Sequence, residues 1–258
     1  MTKPESGLPW GLMKESCAVA ERSSQPERAN LENLEILTFT GLDYQTDFQT
    51  VWELWSRYPR VEFGVLVGGR SGQSDARRYP AEGEIKWWRG LTRKSEISVA
   101  IHLCGRFARA ALGDGDTDEV LRLCRGFSRV QINAREYEAG RVAAFAEAVD
   151  VPKVILQKRQ PFEADWVLPD PKVEYLFDLS GGQGLESLEH WLAPDAREIR
   201  SGYAGGLNQA NVDQALEFVA SHPQRRFWLD MESGVRTAND WLDIGQVAAV
   251  CEKVFPEN

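Results

Sequence analysis

Short apolar runs alternate along the chain with longer stretches in which apolar residues recur at helical spacing. This alternation predicts βα units and a parallel sheet, because parallel strands need a crossover connection that is usually a helix. Eight strands are predicted, at Glu35–Thr40, Glu62–Val67, Ile97–Leu103, Arg129–Asn133, Lys153–Leu156, Val173–Phe177, Glu198–Tyr203 and Arg226–Asp230.

Helices are predicted between and after these strands, at Phe48–Tyr58, Ile85–Leu91, Phe107–Ala111, Arg135–Ala148, Leu185–Leu192, Gln209–Ala220 and Ile244–Phe255. The segment from Gln160 to Pro171 contains three prolines and is predicted as a loop, so no regular helix is expected after the fifth strand. We therefore expect an α/β fold, a single (β/α)₈ TIM barrel over residues 31–258. The chain length of 258 residues fits this fold, for which about 250 residues is typical.

Residues 1–30 are polar, contain Pro4, Pro9 and Pro26, and show no sustained periodicity. We expect them to form an N-terminal extension outside the barrel. They lack the apolar core of a secretory signal, and the chain has no run of about 18 apolar residues that would span a bilayer. A cytoplasmic protein without membrane contact is expected.

The formal net charge of −9 argues against a nucleic-acid partner, which requires a clustered positive surface. Four cysteines without C-x-x-C spacing predict neither disulfides nor a zinc site, and neither a metal nor a cofactor is expected. One basic stretch, from Arg70 to Lys94, also contains Trp87 and Trp88. It is either a solvated helix face with two packing tryptophans or a positive wall for an anionic substrate.

Polar side chains stand at the predicted carboxyl ends of several strands, where (β/α)₈ barrels carry their chemistry. They are Thr40, His102, Cys104, Gln131, Asn133, Asp178, Asp230 and Glu232. Because side chains alternate along a strand, His102 and Cys104 share one face, as do Gln131 and Asn133. This density of polar groups predicts a working site.

Small-residue turns follow the last three predicted strands, at Gly181-Gly182, Gly205-Gly206 and Ser233-Gly234. Glycine lets an anion approach backbone N–H groups closely, and a helix N-terminus adds the positive end of the helix dipole. We therefore predict that these residues bind phosphate. The alternative is that the glycines serve only the turns.

The same segments resemble a known family. AGGLNQANV (Ala204 to Val212), LDMESGV (Leu229 to Val235) and FDLSGGQG (Phe177 to Gly184) are similar, in order and spacing, to motifs of phosphoribosylanthranilate isomerases, which act in tryptophan biosynthesis. The resemblance covers roughly residues 34–254. It implies a TIM barrel and an Amadori rearrangement, in which a ribose ring opens and a proton leaves C2.

This resemblance implies that Asp178 is the general acid and that a general base ends the first strand, where the family has cysteine and this chain has Thr40. A threonine hydroxyl is too weak an acid to supply an anion, whereas a thiol ionises near pH ~8.5. His102 or Cys104 is an alternative base, although each also fits a structural role. Asp178 also fits a turn-forming role.

Other positions depart from the family's pattern where the substrate would lie. An arginine that contacts the anthranilate carboxylate in the family corresponds here to Gln73 or, with a shift, to Arg70. Asn133 stands where a histidine is usual, and Arg236 stands where the family has glutamate. The expected substrate ligands are Arg70, Gln131, Asn133 and Asp230.

We expect a divergent phosphoribosylanthranilate isomerase-like enzyme that isomerises a small phosphorylated sugar derivative from aldose to ketose, as a monomer or homodimer. Because Thr40 replaces the family's cysteine base, two alternative functions remain. One is a different sugar-phosphate isomerase or lyase on the same barrel, and the other is a non-catalytic protein that binds a phosphorylated ligand.

Overall fold

All strands of the sheet are parallel, and each is hydrogen-bonded to the next along the chain, with the last paired to the first. The computed structural model describes residues 31–68, 77–160, 168, 170–180 and 188–256. The eight strands of this closed barrel are β1 (Leu34–Thr40), β2 (Val61–Val67), β3 (Val99–Leu103), β4 (Arg129–Ile132), β5 (Lys153–Lys158), β6 (Val173–Phe177), β7 (Ser201–Tyr203) and β8 (Phe227–Met231). The predicted (β/α)₈ fold is confirmed.

Helices connect the strands on the outside of the barrel. They are α1 (Phe48–Arg57), α2 (Glu82–Ser95), α3 (Arg106–Ala111), α4 (Thr117–Cys124), α5 (Ala139–Ala148), α6 (Val212–Ala220) and α7 (Ile244–Val254). Single 3₁₀ turns occur at Leu188–His190 and Ser233–Val235. No helix in the described ranges is both long enough and apolar enough to cross a membrane.

The predicted elements differ from the observed ones in several places. α4 is not predicted, and the described part of the predicted helix Leu185–Leu192 is only the 3₁₀ turn Leu188–His190. The strand predicted from Ile97 begins two residues before β3, and the strand predicted from Glu198 begins three residues before β7. The extension at residues 1–30 and most of the loop predicted at Gln160–Pro171 lie outside the described residues.

Aspartates begin three of the helices. Asp47, Asp116 and Asp243 precede α1, α4 and α7, and each carboxylate accepts a hydrogen bond from the backbone N–H three residues later. Such caps satisfy donors that a helix leaves unpaired at its N-terminus. The helices then present apolar faces to the barrel, as with Val120 and Cys124 of α4, which are both fully buried.

The inside of the barrel is charged at its amino-terminal end. Arg129 of β4 points inward and forms buried ion pairs with Glu62 of β2 and Glu174 of β6. Its guanidinium lies 4.8 Å from the centre of the Trp228 ring. A Cβ atom on Gly202 would lie 2.2 Å from two atoms of that indole, so the missing side chain on β7 makes room for the ring.

Candidate active site

A cleft opens at the carboxyl end of the barrel, with a volume of about 450 Å³ that includes its solvent-exposed part. We call it the mouth cleft. Its lining residues are Gln131, Asn133, Gln157, Leu176, Asp178, Ser180, Ala204, Gly205, Gly206, Leu207, Asp230, Glu232, Ser233 and Gly234. The sequence therefore predicted, at the strand ends, many of the residues that the fold brings together here.

Strand register places two carboxylates on either side of a small residue. Phe177, Tyr203 and Leu229 pair with one another across β6, β7 and β8. The next residue after each of these is Asp178, Ala204 and Asp230, respectively. All three line the mouth cleft. Because Ala204 carries only a methyl group, the space between the two aspartates stays open to a ligand.

Asp178 accepts hydrogen bonds from three donors within the described ranges and is only 3% exposed. Its Oδ2 accepts a hydrogen bond from Gln157 Nε2 at 2.7 Å. Its Oδ1 accepts from the backbone N–H of Ser180 at 3.0 Å and from Ser180 Oγ at 2.6 Å. These contacts give the turn after β6 its shape and fix the orientation of the carboxylate at the cleft wall.

Asp230 and Thr40 form a hydrogen bond inside the mouth of the barrel. Thr40 Oγ1 donates to Asp230 Oδ1 at 2.8 Å and lies 3.5 Å from His102 Nε2. Gly64 allows this approach, because a Cβ there would lie 2.6 Å from the Thr40 hydroxyl and 3.1 Å from His102. Burial raises the pKa of Asp230 to about 7 and lowers the pKa of His102 to about 4.

Glu232 brings a third carboxylate to the cleft. Burial raises its pKa, while the guanidinium of Arg78 opposes that rise from 2.6 Å away. Arg78 also binds both carboxylate oxygens of Asp240, at 2.6 and 3.1 Å. The segment before α2 is thereby attached to the segment after β8.

Cys104 lies at the end of β3 in a polar group beside the cleft. Gln131 Nε2 donates to Asn133 Oδ1 at 2.9 Å, and Asn133 Nδ2 donates to Cys104 Sγ at 3.3 Å. Burial raises the pKa of the Cys104 thiol to about 11, so the thiol stays protonated at neutral pH. Neither Cys104 nor His102 is among the lining residues of the mouth cleft.

The loops after β7 and β8 form one wall of the cleft and pack tightly against each other. Gly205 and Gly206 have φ of +117° and +69°, which favours glycine. Neither of their N–H groups donates a hydrogen bond within the described part of the chain. A Cβ on Gly234 would lie 1.9 Å from the carbonyl oxygen of Leu207, so this close contact between the loops requires glycine.

Arg236 joins the loops after β1 and β8. Its Nη1 donates to the Gly41 carbonyl at 3.0 Å, and its Nη2 donates to Asp43 Oδ2 at 3.2 Å. Arg236 and Asp43 are both buried. Arg236 thus has a partner of opposite charge on another loop.

Three of the predicted site residues, Arg70, Gly181 and Gly182, lie outside the described residues. Within the basic stretch, Trp88 is buried while Trp87 is exposed, and Lys86 pairs with Glu82 on the outer surface of α2. The described part of this stretch therefore resembles a solvated helix face, apart from the two arginines that precede α2.

Sequence reasoning missed Gln157 and Ser180 at the cleft. Gln157 follows Leu156, the predicted end of the fifth strand, and a two-residue period from Ile155 would have placed it inside the barrel. Ser180 follows Asp178 by two residues, the spacing at which an aspartate binds the backbone of its own turn. No group of three His, Cys, Asp or Glu among the described residues is arranged to hold a metal ion.

Comparison with solved structures gives proteins of the same fold. Phosphoribosyl anthranilate isomerase from Thermotoga maritima has a TM-score of 0.60 and 17% identity, over 85% of this chain and 98% of that chain. The enzyme from Thermus thermophilus has a TM-score of 0.54 and 19% identity, over 85% and 98% of the two chains. No protein-family model and no curated protein matches the sequence.

A third solved structure is that of phosphoribosyl anthranilate isomerase in complex with reduced 1-(o-carboxyphenylamino)-1-deoxyribulose 5-phosphate. It has a TM-score of 0.57 and 16% identity, over 85% of this chain and 97% of that chain. At this level of identity the likeness is one of fold. The fold and the cleft together define a TIM-barrel protein with three carboxylates at the mouth of its barrel.

Proposed function

We propose that this protein is an isomerase that converts a phosphorylated, N-linked aldose derivative into the corresponding ketose by an Amadori rearrangement. The observation that carries the proposal is that Asp178 and the glycine loops after β7 and β8 line one cleft. A general acid and a phosphate site would then lie within the length of one small ligand. The three segments that resemble motifs of phosphoribosylanthranilate isomerases support the same assignment.

The phosphate is assigned to the wall formed by Gly205, Gly206, Ser233 and Gly234. Gly205 and Gly206 line the cleft, and their N–H groups, which have no partner in the described part of the chain, would donate to phosphate oxygens. Gln131 on β4 and Asn133, directly after β4, lie across the barrel from this wall and are assigned to the sugar hydroxyls or the N-linked group. Arg70, Gly181 and Gly182 remain proposed ligands on the strength of the sequence.

Asp178 is assigned the role of general acid. A proton on its carboxyl would pass to the ring oxygen as the bond from that oxygen to C1 breaks, with the nitrogen lone pair forming a C1=N bond. The resulting iminium is positively charged. Asp178, Asp230 and Glu232 surround the cleft and would stabilise that charge in a site partly shielded from water.

Turnover of N-(5-phosphoribosyl)anthranilate tests this proposal directly. We expect the purified protein to convert it into 1-(o-carboxyphenylamino)-1-deoxyribulose 5-phosphate, which mass spectrometry and the loss of substrate fluorescence would follow. Asp178→Asn should lower kcat by about 100-fold or more, the usual contribution of an acid or base. Asp195→Asn, which changes a carboxylate paired with Arg197 outside the cleft, is the matched control and should keep full activity.

If the protein does not convert this substrate, other 5-phosphoribosyl amines would be assayed in the same way. The residues expected at the anthranilate end of the site are those that differ most from the family's sequence pattern. A place in tryptophan biosynthesis is part of the proposal only for the first substrate. Growth of a tryptophan auxotroph lacking its own isomerase would support that place. Turnover of another amine without such growth would reject it.

A second candidate is a protein that binds a phosphorylated ligand without reaction, and Thr40 is the observation that favours it. By the sequence resemblance Thr40 corresponds to the family's cysteine, and its hydroxyl donates to Asp230. On this account, calorimetry would detect binding of the phosphorylated ketose, while no member of the substrate series would be consumed. Consumption by the wild-type protein but not by Asp178→Asn would exclude this candidate.

A further inference from the structure

Two small residues stand among the polar residues at the inside of the barrel mouth. Asp178 after β6, Asp230 on β8 and Thr40 on β1 are polar. Ala204, after β7, lies between the first two, and Gly64 on β2 lies beside Thr40. The small residues leave the polar groups uncovered, so the acid assigned to Asp178 faces a second carboxylate across an open space.

Glu232 is held by Arg78 at 2.6 Å, and three other groups near the mouth cleft are candidates to accept the C2 proton. His102 does not line the cleft, and its Nε2 lies 3.5 Å from the Thr40 hydroxyl. Its pKa of about 4 makes it a weak base. Cys104 has a pKa of about 11 and keeps its proton at neutral pH. Asp230 lines the cleft itself, and its pKa of about 7 is near the value at which a general base is most effective.

We propose that Asp230 is the general base of the reaction and that Thr40 is the residue that positions it. The assignment deepens the proposed function and rests on it. Thr40 corresponds by sequence to the family's cysteine. Its hydroxyl donates to the Asp230 carboxylate at 2.8 Å, and this carboxylate acts as the base in place of the thiol. The base therefore stands on β8 and faces Asp178 over Ala204.

The proposed step balances without any co-reactant. In the ring-opened iminium, an oxygen of Asp230 takes the proton from C2. The electron pair of the C2–H bond forms the C1=C2 bond, and the electrons of C1=N return to nitrogen, which becomes neutral. The enaminol then gains a proton at C1 and loses one from the C2 hydroxyl, which leaves the ketose and returns Asp230 to its starting state after it releases its proton.

The charged and titratable groups that face Asp230 come from several strands. Glu232, directly after β8, and Asp178, directly after β6, raise its pKa, in addition to the effect of burial. The Thr40 hydroxyl on β1 and the guanidinium of Arg129 on β4 lower it. His102 on β3 is neutral at pH 7 and lies behind Thr40. Removing one neighbour at a time should therefore move the pKa of Asp230 in a known direction.

The test measures kcat and KM against pH with N-(5-phosphoribosyl)anthranilate, for the wild type and four variants. Asp230→Asn should lower kcat by about 100-fold or more while KM changes by less than about threefold. Thr40→Val should move the acidic midpoint of kcat/KM to higher pH, and Thr40→Ser should return it to the wild-type value. Glu232→Gln should move the midpoint to lower pH.

Carboxyl ¹³C NMR, assigned with Asp230→Asn, should show the same midpoints. Opposite shifts in Thr40→Val and Glu232→Gln support the proposal, since a structural defect would not produce them. An active wild type whose Asp230→Asn variant keeps a tenth or more of its kcat overturns the base assignment alone. Activity that falls as pH rises through the midpoint that NMR assigns to Asp230 overturns it as well, because Asp230 would then act as an acid. A wild type that turns over no phosphoribosyl amine overturns the proposed function and the base role together.

Discussion

The guanidinium of Arg129 and the carboxylate of Glu62 form an ion pair inside the barrel, where their side chains are 4% and 1% exposed. Arg129 Nε lies 3.0 Å from both oxygens of Glu62. Burial opposes ionisation of Glu62, but the neighbouring guanidinium and its hydrogen bonds prevail, and the pKa of Glu62 is lowered. The pair therefore stays charged at neutral pH near the amino-terminal end of the barrel.

Removal of one member of this pair should destabilise the fold strongly. Glu62→Gln leaves Arg129 with Glu174 as its remaining carboxylate partner, and breaking a buried pair costs about 3–5 kcal/mol. The double variant Glu62→Leu with Arg129→Met should recover most of that loss, because it removes both charges. Urea denaturation would give the free energies of unfolding, and a double variant less stable than Glu62→Gln would contradict the explanation.

Gly234→Ala should separate the two loops that form the proposed phosphate wall. The new methyl group would meet the carbonyl oxygen of Leu207, so we expect a loss of about 2–3 kcal/mol in stability and weaker protection by inorganic phosphate against thermal unfolding. Gly90→Ala is the matched control, because its Cβ would lie in open space within α2. That variant should gain up to about 1 kcal/mol.

Asp43 and Arg236 should be energetically coupled. Each is buried, so Asp43→Asn or Arg236→Gln alone should cost about 3 kcal/mol, and the double variant should cost less than the sum by at least ~1 kcal/mol. A double-mutant cycle by thermal or urea unfolding measures this coupling. The exposed pair Arg106 and Glu119 serves as the control and should give less than about 1 kcal/mol. Equal couplings for the two pairs would reject the proposed difference.

Asp230 and His102 should make opposite contributions to the pH dependence of stability. The folded pKa of Asp230 is raised from 3.8 to about 7, so its contribution is present at low pH and is lost as pH rises through 7. The folded pKa of His102 is lowered from 6.5 to about 4, so its contribution is present above pH 6.5 and is lost as pH falls through 4. In the wild type the two effects largely cancel between these limits.

Asp230→Asn leaves the His102 effect uncompensated. Relative to the wild type, its free energy of unfolding should fall by on the order of 3 kcal/mol when pH is lowered from 6.5 to 4. His102→Gln should change in the opposite direction, because only the Asp230 effect then remains. Chemical denaturation at several pH values would measure both slopes, and slopes of the same sign in the two variants would contradict the assignments.

The barrel was predictable because its strands are marked by short apolar runs, and strand ends identify the face on which the chemistry lies. α4 could have been found as well, since Asp116 followed by Glu119 and then by Val120 is the pattern of a capped amphipathic helix. The inward direction of Arg129 was not predictable. Its partners come from strands 45 and 67 residues away in the chain, and only the barrel closure brings them together.

The same limit applies to the site. Asp178 and Asp230 could be predicted from strand ends and motif, but the contact between Thr40 and Asp230 joins residues 190 positions apart. The sequence therefore predicts that a threonine at position 40 removes the base. The proposed role of Asp230 as base depends on the side chains around it, and their positions in space are not readable from the sequence.

Gly202 and Trp228 give the barrel a solid floor. The indole fills the space that a side chain at position 202 would take, and the Arg129 guanidinium lies 4.8 Å from the centre of its ring. The barrel interior beneath the mouth cleft is therefore packed with side chains. A small ligand in the cleft would extend across the barrel rather than along its axis, so the protein would select its ligands by width more than by length.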